Sequence, residues 1–127
     1  MIINIPVSLG ELVDKISILR IKKKNIMDKE KLILINEELF LLESILTKTV
    51  ESKKIKKDLD DLININLELW KIEDEIRDCE KIKNFDQKFI NLARSVYITN
   101  DKRSKIKLQI NNNFGSTLVE VKSYEKY

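Results

Sequence analysis

The chain has 127 residues, 43% of them hydrophobic and 35% charged, with two glycines and one proline. That length holds one domain with one core, residues 1–127, and the composition is too apolar for disorder and too poor in turn formers for a sandwich or barrel, which leaves a helical protein. The charges, 24 Lys and Arg against 21 Asp and Glu, leave a net +3 with the signs interspersed, and there is no histidine. Nucleic acid is therefore a weakly supported partner, and a zinc finger, a Cys–His nucleophile and a Ser–His–Asp triad are excluded.

The amino terminus, Met1 to Val7, has neither a basic leader nor a sustained apolar stretch. No segment approaches the roughly 20 apolar residues of a membrane span, so a cytoplasmic location is expected. The first punctuation is Pro6-Val7-Ser8-Leu9-Gly10-Glu11. Ser8 and Glu11 have the spacing of a capping box, and Val7 with Leu12 that of a hydrophobic staple, so a helix should begin at Leu9. Its apolar positions are Leu9, Leu12, Val13, Ile16, Leu19 and Ile26, with Glu11, Asp14, Lys15, Lys22 and Lys23 mostly toward solvent. Asp28 is the expected break or cap.

A second helix carries Leu32, Ile35, Leu39, Leu42 and Leu46 as a coiled-coil-like seam, widened by Leu34, Phe40, Leu41 and Ile45. That width implies burial against two neighbours. Thr47 to Ser52 reads as a connection. A third helix from about Ser52 to Lys83 continues the rhythm through Leu62, Ile65, Leu69, Ile72, Ile76 and Cys79, the only cysteine, which is expected to be an inert buried thiol. At about 45 Å it is longer than a compact domain of this size needs. An antiparallel hairpin with the preceding helix is expected, any remainder being covered by a second copy.

Asp86 is placed to cap a fourth helix with Phe89, Ile90, Ala93, Val96 and Tyr97 on its apolar face, kinked or interrupted at Thr99-Asn100-Asp101 and ended by Gly115. The tail, Ser116 to Tyr127, has no helical rhythm. Ile2-Ile3-Asn4-Ile5 and Leu118-Val119-Glu120-Val121 are candidates for a minor two-strand ribbon across the termini. The fold expected is thus all-α: a bundle of about four helices with a long antiparallel helical hairpin and that small ribbon.

Three stretches carry a family resemblance. They are Ile5-Pro6-Val7-Ser8-Leu9-Gly10-Glu11-Leu12-Val13-Asp14-Lys15-Ile16 at the start, Glu68-Leu69-Trp70-Lys71-Ile72-Glu73-Asp74-Glu75-Ile76-Arg77 in the middle, and Ala93-Arg94-Ser95-Val96-Tyr97 through Thr99-Asn100-Asp101-Lys102-Arg103 to Gly115-Ser116 and Lys122-Ser123-Tyr124 at the end. Together they resemble a family of short proteins of bacteria and their viruses whose function is unknown. The chain departs from that family's pattern at Val121, where a second acid is usual, and at Ser104, where a small residue is usual. The resemblance implies no reaction. It carries only an association with genes for surface polysaccharide assembly.

Two constellations stand out chemically. The first is acidic: Glu68, Glu73, Asp74, Glu75 and Asp78, joined by Glu11 and Asp14 from the first helix. Carboxylates three residues apart on adjacent turns can hold a hard cation, so Glu11, Asp14, Asp74 and Asp78 are the candidate metal residues. No cofactor is firmly implied; Mg²⁺ or Mn²⁺ is what such a set would take. The plainer reading pairs Glu73 with Arg77 and Lys71 with Glu75 on the helix surface.

The second constellation, Arg94, Tyr97, Asn100 and Arg103, has the planar donors and aromatic face that grip phosphate or sugar, with Lys102, Lys122 and Tyr124 nearby. Its plainer reading has Arg94 satisfying Asp74 or Asp78 between helices. Trp70 is either a pocket wall or a core edge. Lys22, Lys23 and Lys24, and Lys53, Lys54, Lys56 and Lys57, read as solvated helix faces.

The sequence thus leads to a non-enzymatic interaction or accessory module, forming a homo-oligomer or meeting another protein. The alternative is a metal-dependent enzyme or binder acting on nucleotides or sugar phosphates.

Overall fold

A computed structural model describes residues 1–127 as four helices: α1 (Leu9–Asn25), α2 (Lys29–Thr49), α3 (Ser52–Lys81) and α4 (Gln87–Phe114). The local signals act where the sequence places them. Ser8 Oγ accepts the amide of Glu11 at 3.2 Å, Asp28 caps α2 through the amides of Glu30 and Lys31, and Asp86 caps α4 through that of Lys88. Gly115, at φ 67° and ψ 40°, ends α4 in the left-handed conformation that glycine adopts without steric cost. The capping box is half made. Glu11 turns its carboxylate to Lys107 instead of back to Ser8.

The shortest helix is the centre of the molecule. α1 packs against each of the other three and buries nine of its 17 residues, whereas α2 buries only three of 21. The core joins Leu12, Val13 and Ile16 of α1 to Ile35 and Leu39 of α2, Leu59 and Leu62 of α3, and Ile110 of α4. Enclosure on several sides leaves α1 only a narrow polar face, which Lys15, Lys23 and Lys24 occupy, and two of its polar side chains lie inside. Asp14, expected toward solvent, has no exposed surface, and neither has Ser17.

The pairing of helices differs from the expected hairpin. α3 lies along α4, to which a five-residue connection returns the chain, and α2 packs on α1 rather than along α3. The seam residues Ile35, Leu39 and Leu46 of α2 are buried as expected. The widening residues Leu34, Phe40, Leu41 and Ile45 are exposed, because the second neighbour that would cover them is engaged with α4. Further corrections concern the C-terminal third: α4 runs unbroken through Thr99-Asn100-Asp101, and neither terminus forms a strand.

Gly10 marks the closest approach in the fold. A Cβ there would lie 2.5 Å from the backbone carbonyl oxygen of Lys107, and the Gly10 amide donates to Asn111 Oδ1 at 2.7 Å. Replacing glycine by alanine inside a helix ordinarily stabilises it, by up to ~1 kcal/mol. Here the obstacle is backbone, so Gly10→Ala should destabilise the fold by about 1–3 kcal/mol, a reversal of sign to be read from urea denaturation midpoints.

Candidate functional site: a buried carboxylate and the two clefts beside it

α1 and α4 meet through polar side chains set one helical turn apart. Asn111, Lys107 and Arg103 succeed one another at intervals of four on α4, and they receive Gly10, Glu11 and Asp14 of α1 in turn. The order along α4 reverses that along α1, so the helices run in opposite directions. Four-residue spacing keeps all three α4 side chains on one face.

Asp14 is the centre of this ladder. The Arg103 guanidinium grips it with two donors, Nε to Oδ1 at 2.9 Å and Nη2 to Oδ2, while Asn66 Nδ2 on α3 donates to Oδ1 at 2.9 Å. The same amide donates to Ser17 Oγ at 2.7 Å, and Ser17 Oγ–H donates to the Asp14 carbonyl at 2.6 Å. A carboxylate with no access to water is tolerable only when its lone pairs are met and its charge is matched, and both conditions hold. Pairing with Asp14 also holds the Arg103 guanidinium above its ordinary pKa.

Lys107 is the second buried charge, with its side chain 8% exposed. Its ammonium lies 2.7 Å from Glu11 and 3.3 Å from Glu120 in the C-terminal tail. Burial pushes the Lys107 pKa down, but pairing with Glu11, reinforced by the charges of Asp14 and Glu120, outweighs it and leaves the group above the ordinary lysine value. Asn111, also buried, accepts from Gly10, while its Nδ2 has no partner within the protein.

Two clefts flank this ladder, and Asn100 and Arg103 stand on the wall between them. The first, about 720 Å³, lies between α4 and the C-terminal tail. The tail is laid over it by Glu120 on Lys107, by the Tyr127 hydroxyl donating to Asp101 at 2.8 Å, and by the Tyr127 ring set edge-on to Tyr97 at 5.3 Å. The second, about 560 Å³, opens between α1, α3 and α4. Ile18, Ile21, Leu69 and Trp70 supply its apolar lining, and Glu73, Asp74 and Arg77 follow Trp70 along α3.

The candidate residues are thus only partly gathered. Of the phosphate or sugar set, Tyr97, Asn100 and Arg103 line the first cleft, and Arg94 is exposed away from both. Of the metal set, Glu11 and Asp14 are committed to Lys107 and Arg103, Asp74 lines the second cleft, and Asp78 is exposed on α3. The four do not converge, and no three acidic, Cys or His side chains are grouped as metal ligands. Charge pairs between helices are made by Arg103 with Asp14, Lys107 with Glu11 and Arg20 with Glu43, not by Arg94 with Asp74 or Asp78.

Elsewhere the basic run of α3 is partly matched, Lys54 by Glu51, Lys56 by Asp60 and Lys57 by Asp61. Cys79 is buried and unpaired. No helix is long and apolar enough to cross a membrane. The role of Lys107 and of Ser17 was missed in the sequence, although the i, i+4, i+8 row Arg103–Lys107–Asn111 beside Ile106 and Ile110 is a signal for polar residues on an inward face.

Removing the carboxylate strands Arg103 and Asn66 together. Asp14→Ala should cost about 3 kcal/mol, the lower end of what breaking a buried pair costs, since Arg103 retains some exposure; chemical denaturation reads it. Lys107 gives a pH signature. Because its folded pKa is raised, its stabilisation is complete below the unfolded lysine value near 10.5 and is lost as pH rises through the higher folded value. Wild-type stability should therefore fall above about pH 10.5, and Lys107→Met should flatten that decline in denaturation curves taken from pH 9 to 11.5.

No curated protein and no solved structure matches the chain. A family model does, over residues 3–127, and it spans all three of the stretches that meet around Asp14 and the two clefts. The chain belongs to that family, described as a family of unknown function (DUF6165).

Proposed function

We propose that the protein is a non-enzymatic interaction module of the cytoplasm that assembles with a second copy of itself through the outward face of α2. The observation that carries this reading is the exposure of Ile33, Leu34, Phe40, Leu41 and Ile45, between 45% and 72%, on a helix that packs chiefly against α1. Together they leave on the order of 600 Å² uncovered, at the upper end of what monomers expose and near one partner's share of a standard interface, about 800 Å².

The spacing favours a helical partner of the same sequence. Leu34, Leu41 and Ile45 follow one another at seven and four, as do seam positions of a coiled coil, and Ile33 and Phe40 run parallel to them seven apart. Glu30 and Lys48 lie about five turns apart on this same face, and neither takes part in an ion pair. Two copies of α2 related by a two-fold axis and running in opposite directions would set Glu30 of each against Lys48 of the other.

The alternative, a metal-dependent enzyme or a binder of nucleotides or sugar phosphates, has less support. Glu11 and Asp14 are committed to basic partners, and Arg103, Lys107 and Lys122 in the first cleft each have a carboxylate within ion-pair distance.

Sedimentation equilibrium tests the proposal. A dimer is expected at micromolar concentration, with Phe40→Glu combined with Leu41→Glu weakening it at least tenfold while the helical circular dichroism is kept. Glu30→Lys should weaken it, and adding Lys48→Glu should restore it. A monomer at several hundred micromolar, or a dimer indifferent to these changes, overturns the reading.

A further inference from the structure

The second cleft is built differently from the first, and the difference points to a ligand class. Trp70, Glu73, Asp74 and Arg77 are spaced at three and four, so one face of α3 presents an indole, two carboxylates and a guanidinium to the same space. Glu73, Asp74 and Arg77 make no ion pair or side-chain hydrogen bond within the protein. Across the cleft, Asp14 holds the Arg103 guanidinium in a fixed plane by Nε and Nη2, leaving Nη1 with only a long 3.4 Å bond to Asn100 Oδ1. The Asn100 amide donor is uncommitted. The site therefore combines a held donor pair on α4, free acceptors on α3, and an apolar wall of Ile18, Ile21 and Leu69 continuous with Trp70.

The charge balance narrows the choice. Arg103 is neutralised by Asp14, and Arg77 stands against both Glu73 and Asp74, so the cleft has no surplus positive charge to offer a phosphate. With Arg103 matched by Asp14, two open carboxylates against one guanidinium leave the cleft mildly acidic, which disfavours an anion and offers acceptors to hydroxyl donors. What fits is an uncharged molecule that has an apolar C–H face for the indole and a rim of hydroxyls able to donate to carboxylates and accept from amide and guanidinium. A pyranose ring has both. At about 560 Å³ the cleft is within the 300–1,000 Å³ range of small-molecule sites.

We propose that the cleft between α1, α3 and α4 binds a neutral saccharide, stacked on Trp70 and hydrogen-bonded by Asp74, Asn100 and Arg103. The site stands apart from α2 and is independent of the assembly proposed above.

Trp70 is the only tryptophan, so its emission reports on this cleft without labelling. The intact protein is titrated with neutral trisaccharides of glucose, galactose, mannose and N-acetylglucosamine, and separately with inorganic phosphate and ATP. The expected result is a saturable change in Trp70 emission with at least one saccharide and none with phosphate or ATP at the same concentrations. Asp74→Ala and Asn100→Ala, both on accessible positions and checked for folding by circular dichroism, should each weaken the response at least tenfold. The monomeric α2 variant should keep it. Absence of any saccharide response at tens of millimolar, a response unchanged in Asp74→Ala, or stronger binding of phosphate or ATP each overturns the proposal.

Discussion

A carboxylate sealed from water governs this fold. Asp14 is a charged group in the middle of the central helix, and the cost of its burial is offset only where Arg103 and Asn66 reach it together. Those partners lie on α4 and α3, so a single side chain sets the lateral position of two helices against α1. The apolar core around it is less selective, because leucine and isoleucine rows tolerate sliding by a turn, whereas a two-donor grip on one carboxylate does not. Gly10 under Lys107 and the Glu11–Lys107 pair fix the same register one turn toward the amino terminus.

This arrangement also explains why the polar residues beside the clefts are held in place. Arg103 and Asn100 extend from a rigid helix, and the guanidinium is oriented by the carboxylate behind it rather than by a ligand in front. Pre-orientation of this kind lowers the entropic cost of binding. The two clefts share that wall yet differ in character. In the tail-covered cleft each cation is matched by an acid of the chain itself, while in the α3 cleft the acids are open.

Much of the architecture was legible from spacing alone. Ser8, Asp28, Asp86 and Gly115 mark helix ends by local chemistry that does not depend on neighbours, and the seams of α2 and α3 follow from apolar rhythm. The choice of neighbours was not legible. A seam says that a helix is covered, not by what, so rhythm alone pairs α3 with α2, whereas α3 lies on α4 and α1. The site failed to read for a related reason: Asp14 looks like one more acid on a helix flank, and only enclosure of α1 on several sides draws it inward. Asn100, Tyr97 and Arg103 were legible as chemistry; the Asp14–Arg103 pairing was not, because it joins residues from opposite ends of the chain.

That last property bears on how the molecule comes together. α1 emerges before the other three helices during synthesis, and the basic groups that match Asp14 and Glu11 are encoded about ninety residues later. Until α4 is made, α1 can gather α2 over its apolar rows but must keep its carboxylates in water, so the early pair is a loose one. Closure then depends on contacts of very large sequence separation, which makes this helical protein slower to complete than its helix content suggests. An amino-terminal half released alone would expose both the rows meant for α3 and α4 and the outer face of α2, the condition in which helical fragments aggregate.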